Sequence, residues 1–391
     1  MLSALFRSAW CHSIRNRNAA FSLLLCLLCS VLACLPTGFE DRNEQDVVYR
    51  RGTVLAVQDH FEPSGPIHMG EQALTVRIED GPHSGTEHRT VNHLCGKLEL
   101  DALYRIGDSV LLRVLERNGA VIAVDPSDHY RLGALWSVMG LFSLLLIGVA
   151  GWTGAKALLS FVFSGLLIWK LLIPGLLLGW DPIPLSLAVV AVLTGAICFL
   201  VGGLSRKGLT AFLGSFLGLF LTCGVAMAFA PMCHVVGEVR PFAESLIFSG
   251  FPDLPLTRIF LAGVFTSASG AVMDLAMDIA AAQEEISDKR PDLGIGALFR
   301  SGMSVGRAVI GTMTTTLLLA YSGTMTTSLM FVMAQGFPPE AIFNKRHVAM
   351  EVYGTLAGSF GLVTVAPFTA LAGAMLMARW RAGHVTPEKT V

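Results

Sequence analysis

The chain has 391 residues, of which 53% are hydrophobic and only 15% are charged, and its mean hydropathy is +0.61. About a quarter of the residues in a soluble domain are charged, so this composition indicates an integral membrane protein. The 28 basic residues nearly balance the 29 acidic ones, which leaves no strongly basic surface and excludes nucleic acid as a partner. The 8 cysteines include no CxxC pair, so neither a disulfide scaffold nor a zinc ribbon is indicated.

The first apolar run, residues 19–35, follows three arginines and precedes an acidic stretch. Basic residues ahead of a span predict a cytoplasmic N-terminus, and we interpret residues 1–36 as this terminus with a retained transmembrane anchor. Because the run is near the short limit for a span and ends in small residues, a cleaved signal peptide is the alternative. Cys34 also leaves a lipoprotein interpretation open.

Residues 37–131 differ in composition from the rest of the chain and carry much of its Asp, Glu and His. Period-two alternation with β-branched residues predicts short strands there, at residues 46–57, 73–80, 108–115 and 120–124. Arg117-Asn118-Gly119 is typical of a tight hairpin turn. We therefore predict a small extracytoplasmic β-domain after the first helix.

Long apolar stretches follow, each close to the roughly 20 residues that cross a bilayer as a helix: 133–150, 157–179, 185–204, 209–230, 257–281, 303–321 and 348–378. With the anchor they predict an α-helical polytopic membrane protein of about eight transmembrane helices, about seven of them in a transmembrane domain over residues 132–381. Residues 324–336 are apolar but short, and they predict either a re-entrant segment or a further short span.

Basic residues lie between these stretches in a pattern that fixes their orientation: Lys156, Arg206, Lys207, Lys289, Arg290, Arg379 and Arg381. All of them fall on the cytoplasmic side if the stretches alternate in direction. The pattern predicts that both termini are cytoplasmic and that residues 382–391 form a cytoplasmic tail.

An ionised side chain in the bilayer core costs about 2.5 to 3.5 kcal/mol, so each one is a functional candidate. One stretch carries polar or small residues at helical spacing on a single face: Ser267, Gly270, Asp274 and Asp278. Such a face is expected to meet protein or water rather than lipid. Paired carboxylates one turn apart suit a proton- or cation-coupled site, and a structural ion pair with Arg307 or Lys170 is the alternative.

The next stretch adds Arg307, Thr314 and Thr315 to the candidate path. Their alternative role is structural, because hydroxyls support helix packing and an arginine near a helix end snorkels to the interface.

Two further ionisable residues are secondary candidates. Lys170 lies shortly before Pro174, where a helix loosens. Glu351 begins the last stretch, in which Gly358, Gly361 and Pro367 favour either a discontinuous transporter helix or a kinked packing helix.

Metal, cofactor and enzyme signals are weak. His83, His88 and His93 recur every five residues, a spacing that alternates faces along a strand, so we predict no metal site and no cofactor. A Cys95 to Cys233 disulfide stays open. No nucleophile elbow, Walker loop or HExxH sequence is present, and we predict that the protein is not an enzyme.

Several motifs resemble those of the YibE/F family of bacterial multi-pass membrane proteins: Ser269-Gly270-Ala271-Val272-Met273-Asp274, Ser301-Gly302-Met303, Gly306-Arg307, Gly311-Thr312-Met313, Ala320-Tyr321-Ser322-Gly323 and Gly358-Ser359-Phe360-Gly361. Pro367 and the segment from Arg105 to Val110 continue the likeness. The resemblance implies a bacterial cytoplasmic-membrane protein without naming a substrate. Ala308 and Thr315 stand where an acidic residue and an asparagine are expected, which predicts a less polar site.

Two functions fit these observations. The first is an ion- or proton-coupled transporter or permease-like protein that moves an unknown small solute or ion along the polar path. The second is a non-transporting membrane scaffold whose β-domain, residues 37–131, binds an envelope protein. The lipid bilayer is the expected surroundings in both.

Overall fold

The computed structural model describes residues 2–40, 46–64, 67–98 and 100–382. The predicted cytoplasmic tail lies outside these residues except for its first position. The chain divides into two compact units, Gly38–Val149 and the combination of Met1–Thr37 with Ala150–Val391. The second boundary between them lies inside a long helix that is interrupted at Gly151, where φ is 55° and ψ is −129°. This backbone conformation favours glycine because it has no Cβ.

The unit Gly38–Val149 contains an antiparallel sheet of strands β1 (Val47–Ser64), β2 (Ile67–Ile78), β3 (Glu87–Cys95), β4 (Ser109–Arg117) and β5 (Ala120–His129). The strand order is β3-β2-β1-β4-β5. The predicted small β-domain is therefore present in the fold. The Asn118-Gly119 turn joins β4 and β5, and both residues have positive φ, as a tight hairpin requires.

The core of this sheet comes from alternate residues of neighbouring strands, such as Val54, Val76 and Leu112, which are fully buried. The sequence patterns did not predict β3. On that strand only Thr90 and Leu94 are buried, while the other residues are mostly polar and more exposed, so its apolar alternation is too sparse to recognise. His88 and His93 belong to β3, and His93 Nδ1 lies 3.3 Å from Glu71.

The helices are α1 (Leu2–Cys34), α2 (Leu132–Leu167), α3 (Ile173–Leu177), α4 (Pro182–Val201), α5 (Arg206–Phe229), α6 (Ala243–Phe248), α7 (Leu256–Lys289), α8 (Ile295–Ala334), α9 (Pro339–Asn344) and α10 (Arg346–Ala382). A π-helical turn, Ile168–Leu172, connects α2 and α3. Pro174 is the second residue after it, so the expected loosening of the helix near Lys170 takes this form.

In the part of the chain that the structure describes, 6 helices are long and apolar enough to cross a membrane. Two of the predicted spans lie within one of them, Leu132–Leu177, and the first anchor corresponds to a shorter apolar helix, Asn18–Cys34. Residues 324–334 continue α8 without a break. They form neither a separate re-entrant segment nor a helix of their own, because no proline separates them from residues 303–321 and Gly323 does not adopt a positive φ.

The last helix corrects one expectation. α10 runs through Gly358, Gly361 and Pro367 as a single helix, so it is not discontinuous. The glycines serve contacts between helices instead: a methyl group on Gly358 would lie 3.2 Å from Ala268 Cβ, and one on Gly361 would overlap the Thr222 hydroxyl.

Within the unit formed by Met1–Thr37 and Ala150–Val391, helices α5 and α10 make a close contact, which we call the α5–α10 seam. Two sets of residues spaced by four interdigitate there: Thr210, Gly214, Gly218 and Thr222 of α5, and Gly361, Val365, Thr369 and Gly373 of α10. Small residues at this spacing allow two helices to approach closely. A methyl group on Gly214 would overlap the Thr369 hydroxyl and lie 2.7 Å from Thr369 Cα, so the backbones meet here.

Candidate functional site

The carboxylates of α7 lie along its outward side. Ser267, Gly270, Asp274 and Asp278 are all exposed. The opposite side of the same helix is fully buried at Val272, Leu275, Ala276 and Ile279. The helical spacing of α7 thus divides the helix into an apolar side that packs inward and a polar side whose residues are exposed.

The neighbouring helix α8 borders this polar side in antiparallel orientation. Ser267 Oγ and the Tyr321 hydroxyl are 2.8 Å apart, and Gln283 Nε2 donates to the Leu298 carbonyl at 3.0 Å. Between these levels a methyl group on Gly306 would lie 3.2 Å from Ile279 Cδ1. Asp278 and Arg307 each lie one residue from that contact, so they occupy the same depth along the helix pair.

We define the polar face as Ser267, Gly270, Asp274 and Asp278 of α7 with Arg307, Gly311 and Thr315 of α8, all of which are exposed. Thr314, also predicted for the path, is half-buried. The two threonines donate to carbonyls of their own helix, Thr314 to Ile310 at 2.8 Å and Thr315 to Gly311 at 3.3 Å. Their hydroxyl protons are therefore occupied, and their oxygens are free only to accept a hydrogen bond or to bind a cation.

The charged residues of the polar face have no partner within the described chain. Asp274, Asp278 and Arg307 form no ion pair or hydrogen bond with any described residue. Arg307 and Asp278 share a depth without coming within ion-pair distance. The alternative of a structural ion pair with Arg307 or Lys170 is thus not formed in the described residues of one chain.

Lys170 has a different role from the one predicted. Its Nζ donates to the Leu35 carbonyl at 2.7 Å, directly after the end of α1 at Cys34. A cation at the C-terminal end of a helix satisfies a free carbonyl and interacts favourably with the helix dipole. Lys170 therefore attaches the first helix to the π-helical turn and lies outside the polar face.

Glu351 is also held by a partner. Its side chain, 17% exposed, forms an ion pair with Arg240, whose guanidinium carbon lies 4.9 Å from the centre of the Phe260 ring. Arg240 belongs to the loop before α6, and no sequence pattern indicated its role. This pair connects that loop to the second turn of α10.

A cavity of about 530 Å³ lies near this pair, at the end of α5 and the start of α10. Its walls are mainly apolar, with polar groups from Cys233, His234, Asn344 and Tyr353. The Tyr353 hydroxyl donates to the Ala226 carbonyl, and Asn344 Nδ2 donates to the Glu340 carbonyl at 2.7 Å. The sequence patterns did not predict this cavity. Among the described residues no group of His, Cys, Asp or Glu is arranged to hold a metal ion.

The buried amide of Gln283 was not predicted from the sequence. Gln283 of α7 is 0% exposed, and its Nε2 donates to carbonyls of α8 and α10, those of Leu298 at 3.0 Å and Ala370 at 2.9 Å. A methyl group on Gly373 would overlap its Oε1. Gln283 therefore joins α7, α8 and α10 at the end of the α5–α10 seam, and no local sequence motif distinguishes it from the polar residues that follow it.

The described chain has six helices long and apolar enough to cross a membrane and a separate β-domain, which indicate a membrane protein. The unpaired charges of the polar face are its candidate site. Residues 138–379 match the family described as YibE/F-like protein. Because the match covers more than half of the chain, the protein belongs to this family, and the resemblance seen in its motifs is confirmed. Neither the curated proteins nor the solved structures contain a match to the chain.

Proposed function

We propose that the protein is an ion- or proton-coupled membrane transporter or permease-like protein, and that the polar face lines its path. One observation carries the proposal: Asp274 and Asp278 are exposed and, among the described residues, unpaired on a helix of membrane-spanning length. An ionised carboxylate facing hydrocarbon costs about 2.5 to 3.5 kcal/mol. A water-filled path beside α7 removes this cost and gives both side chains a role.

The spacing of the two carboxylates supports coupling to a cation. Asp274 and Asp278 are one helical turn apart, so two negative charges repel each other when both are ionised. A proton or a small cation bound between them relieves this repulsion. Arg307, at the depth of Asp278, supplies the opposite charge on the other side of the path, and a change in its distance to the carboxylates would favour binding or release.

The proposed topology has about eight membrane crossings with both termini in the cytoplasm of a bacterium. Two observations support it. The segment Leu132–Leu177 has 46 residues, about 69 Å of helix, which is enough for two crossings of a hydrocarbon layer about 30 Å thick. The break at Gly151 lies between the two predicted spans.

A second function, a scaffold that binds an envelope protein through the β-domain, is favoured by a separate observation. The connection between β3 and β4 exposes four apolar side chains: Leu98, Leu100, Leu103 and Ile106. Exposed apolar groups concentrated in one connection are typical of a contact surface. This function does not require the charges of the polar face to be reached by water.

Thiol accessibility tests the path. In a Cys-free chain, Ser267→Cys, Gly270→Cys and Asp274→Cys are treated with a membrane-impermeant thiol reagent from each side of the membrane at two pH values. Ala276→Cys, on the buried side of α7, and Leu319→Cys, an exposed apolar position of α8, are the controls. We expect reaction at the three path positions and protection at both controls. Protection at all three positions in folded protein would overturn the transport proposal and leave the scaffold.

A further inference from the structure

The polar face has no cover within the described part of its own chain. Asp274, Asp278 and Arg307 are exposed and form no hydrogen bond or ion pair with any described residue. The glycines beside them, Gly270 and Gly311, have open space where a side chain would be. Glycines on an outward face let the backbone of another helix approach closely. This surface therefore combines unpaired charge with room for a neighbouring helix.

We propose that a second copy of this chain covers the polar face, and that Arg307 of each copy pairs with Asp278 of the other. Copies of one membrane protein insert with the same orientation, so their two-fold axis runs along the membrane normal. Rotation about this axis does not change the depth of any residue. Asp278 and Arg307 share a depth within one chain, so they also share it between copies.

The charges of the face fit this arrangement. Each copy contributes Asp278 and Arg307, which form two identical pairs across the axis, as an isologous interface requires. Asp274 of each copy then has no arginine of its own. Two such carboxylates at one interface provide a site for a proton or a small cation. This last step rests on the proposed transport function, whereas the pairing of the two copies does not.

Charge reversal in two differently tagged chains tests the pairing. A chain with Asp278→Arg has two basic residues at the interface, and a chain with Arg307→Asp has two acidic ones. Either variant alone is expected to repel its own copy. When the two variants are expressed together, the introduced arginine of one chain meets the introduced aspartate of the other. The native Arg307 of the first chain meets the native Asp278 of the second, so both pairs are restored in the mixed dimer.

Co-purification of the two tags measures the result. We expect wild-type chains to co-purify, each variant alone to lose at least about tenfold of this signal, and the mixed pair to recover it. A chain carrying both substitutions is expected to recover it as well, which shows that the single variants fail through charge and not through misfolding. Recovery in the double variant without recovery in the mixed pair would overturn the proposal, since it would place the pair within one chain. Absence of co-purification by the wild type would also overturn it.

Cross-linking provides an independent measurement. Gly270→Cys in one Cys-free chain and Thr315→Cys in the other, each eight residues from the depth of the Asp278–Arg307 pair, are expected to give a disulfide-linked dimer on oxidation. Gly224→Cys, at a glycine of α5 that also has open space around it, is the matched control and is expected to stay monomeric. Equal cross-linking of the control chain would count against the α7–α8 interface.

The two proposals fail separately. If wild-type chains co-purify but cysteines introduced at Ser267, Gly270 and Asp274 are protected from the thiol reagent, the dimer is supported and the transport path is overturned. If these cysteines react but wild-type chains do not co-purify, the transport path is supported and the dimer is overturned.

Discussion

The α5–α10 seam and the polar face place polar residues in the same helical unit in opposite ways. In the seam, Thr222 donates to the Gly218 carbonyl at 2.9 Å and fills the space that Gly361 leaves. On the polar face, Asp274 and Asp278 contact no described side chain by an ion pair or a hydrogen bond. Polarity alone therefore does not identify a functional site in such a helix. What distinguishes a structural polar residue from a candidate functional one is whether its own chain supplies its partners.

The largest expected effect comes from adding a methyl group within the α5–α10 seam. Gly214→Ala puts a Cβ 2.7 Å from the Cα of Thr369, so the two backbones must separate, and we expect a loss of about 3 kcal/mol in the free energy of unfolding. Unfolding in detergent mixed with increasing denaturant measures it. Gly224→Ala on the same helix, where the space is open, is the control and is expected to change little. Equal stability of the two variants would contradict the close contact.

The next effect concerns the amide that joins α7, α8 and α10. Gln283→Met keeps the size of the side chain but removes its two donated hydrogen bonds, and we expect a loss of about 2 kcal/mol. Gln335→Met, at the exposed end of α8, is the control and should leave the same denaturation curve almost unchanged. Wild-type stability in Gln283→Met would show that the buried amide does not hold the three helices together.

The same contrast between buried and exposed polar groups extends to the β-domain. Burial raises the pKa of Tyr104 to about 12, above the ordinary value near 10. The Tyr104 hydroxyl therefore ionises at a lower pH in the unfolded chain than in the folded one. Its contribution to the free energy of unfolding is complete below about pH 10 and is lost as the pH rises through about 12, a fall of about 2 kcal/mol.

Urea unfolding followed by a fluorophore on Cys95, in a chain without other cysteines, measures this fall. Tyr104→Phe is expected to remove it, whereas Tyr49→Phe, which alters an exposed tyrosine, should preserve it. A wild-type profile that stays flat between these pH values would show that the Tyr104 hydroxyl is hydrated.

The smallest effect on stability is expected at the polar face. Asp274→Asn removes a charge that no described group pairs with, so the free energy of unfolding should change by less than about 0.5 kcal/mol. The same substitution should abolish any pH-dependent change in the side of the membrane from which Gly270→Cys is labelled, because one carboxylate of the coupled pair is gone. A large loss of stability in Asp274→Asn would instead assign Asp274 to the folded framework and remove the contrast with the seam.

Helical spacing was sufficient to predict which residues of α7 share a face, because an α-helix has 3.6 residues per turn in any environment. The β-domain could be predicted for a similar reason, because alternation is a local property of strands such as β4. The family assignment also followed from residues of the chain itself and is confirmed.

The partners of these residues could not be predicted in the same way. The contact of Gly214 with Thr369 joins residues far apart in the chain, and each looks like an ordinary small or polar residue in its own helix. Gly361 and Pro367 suggested a broken α10, but the glycine accommodates Thr222 and the proline stays inside the continuous helix. Lys170 suggested an intramembrane charge, and its acceptor at Leu35 is a backbone carbonyl that carries no sequence signal.

The hydrogen bond from Lys170 to Leu35 also bears on biosynthesis. The donor follows its acceptor by 135 residues, and Leu25 and Cys29 of α1 pack in one cluster with Phe163, Leu193 and Ala196. During translation the first helix leaves the ribosome long before α4, so it has to persist without these contacts. Docking of the first helix is therefore a late event in assembly, and any machinery that handles the nascent chain meets α1 while its packing surface is still open.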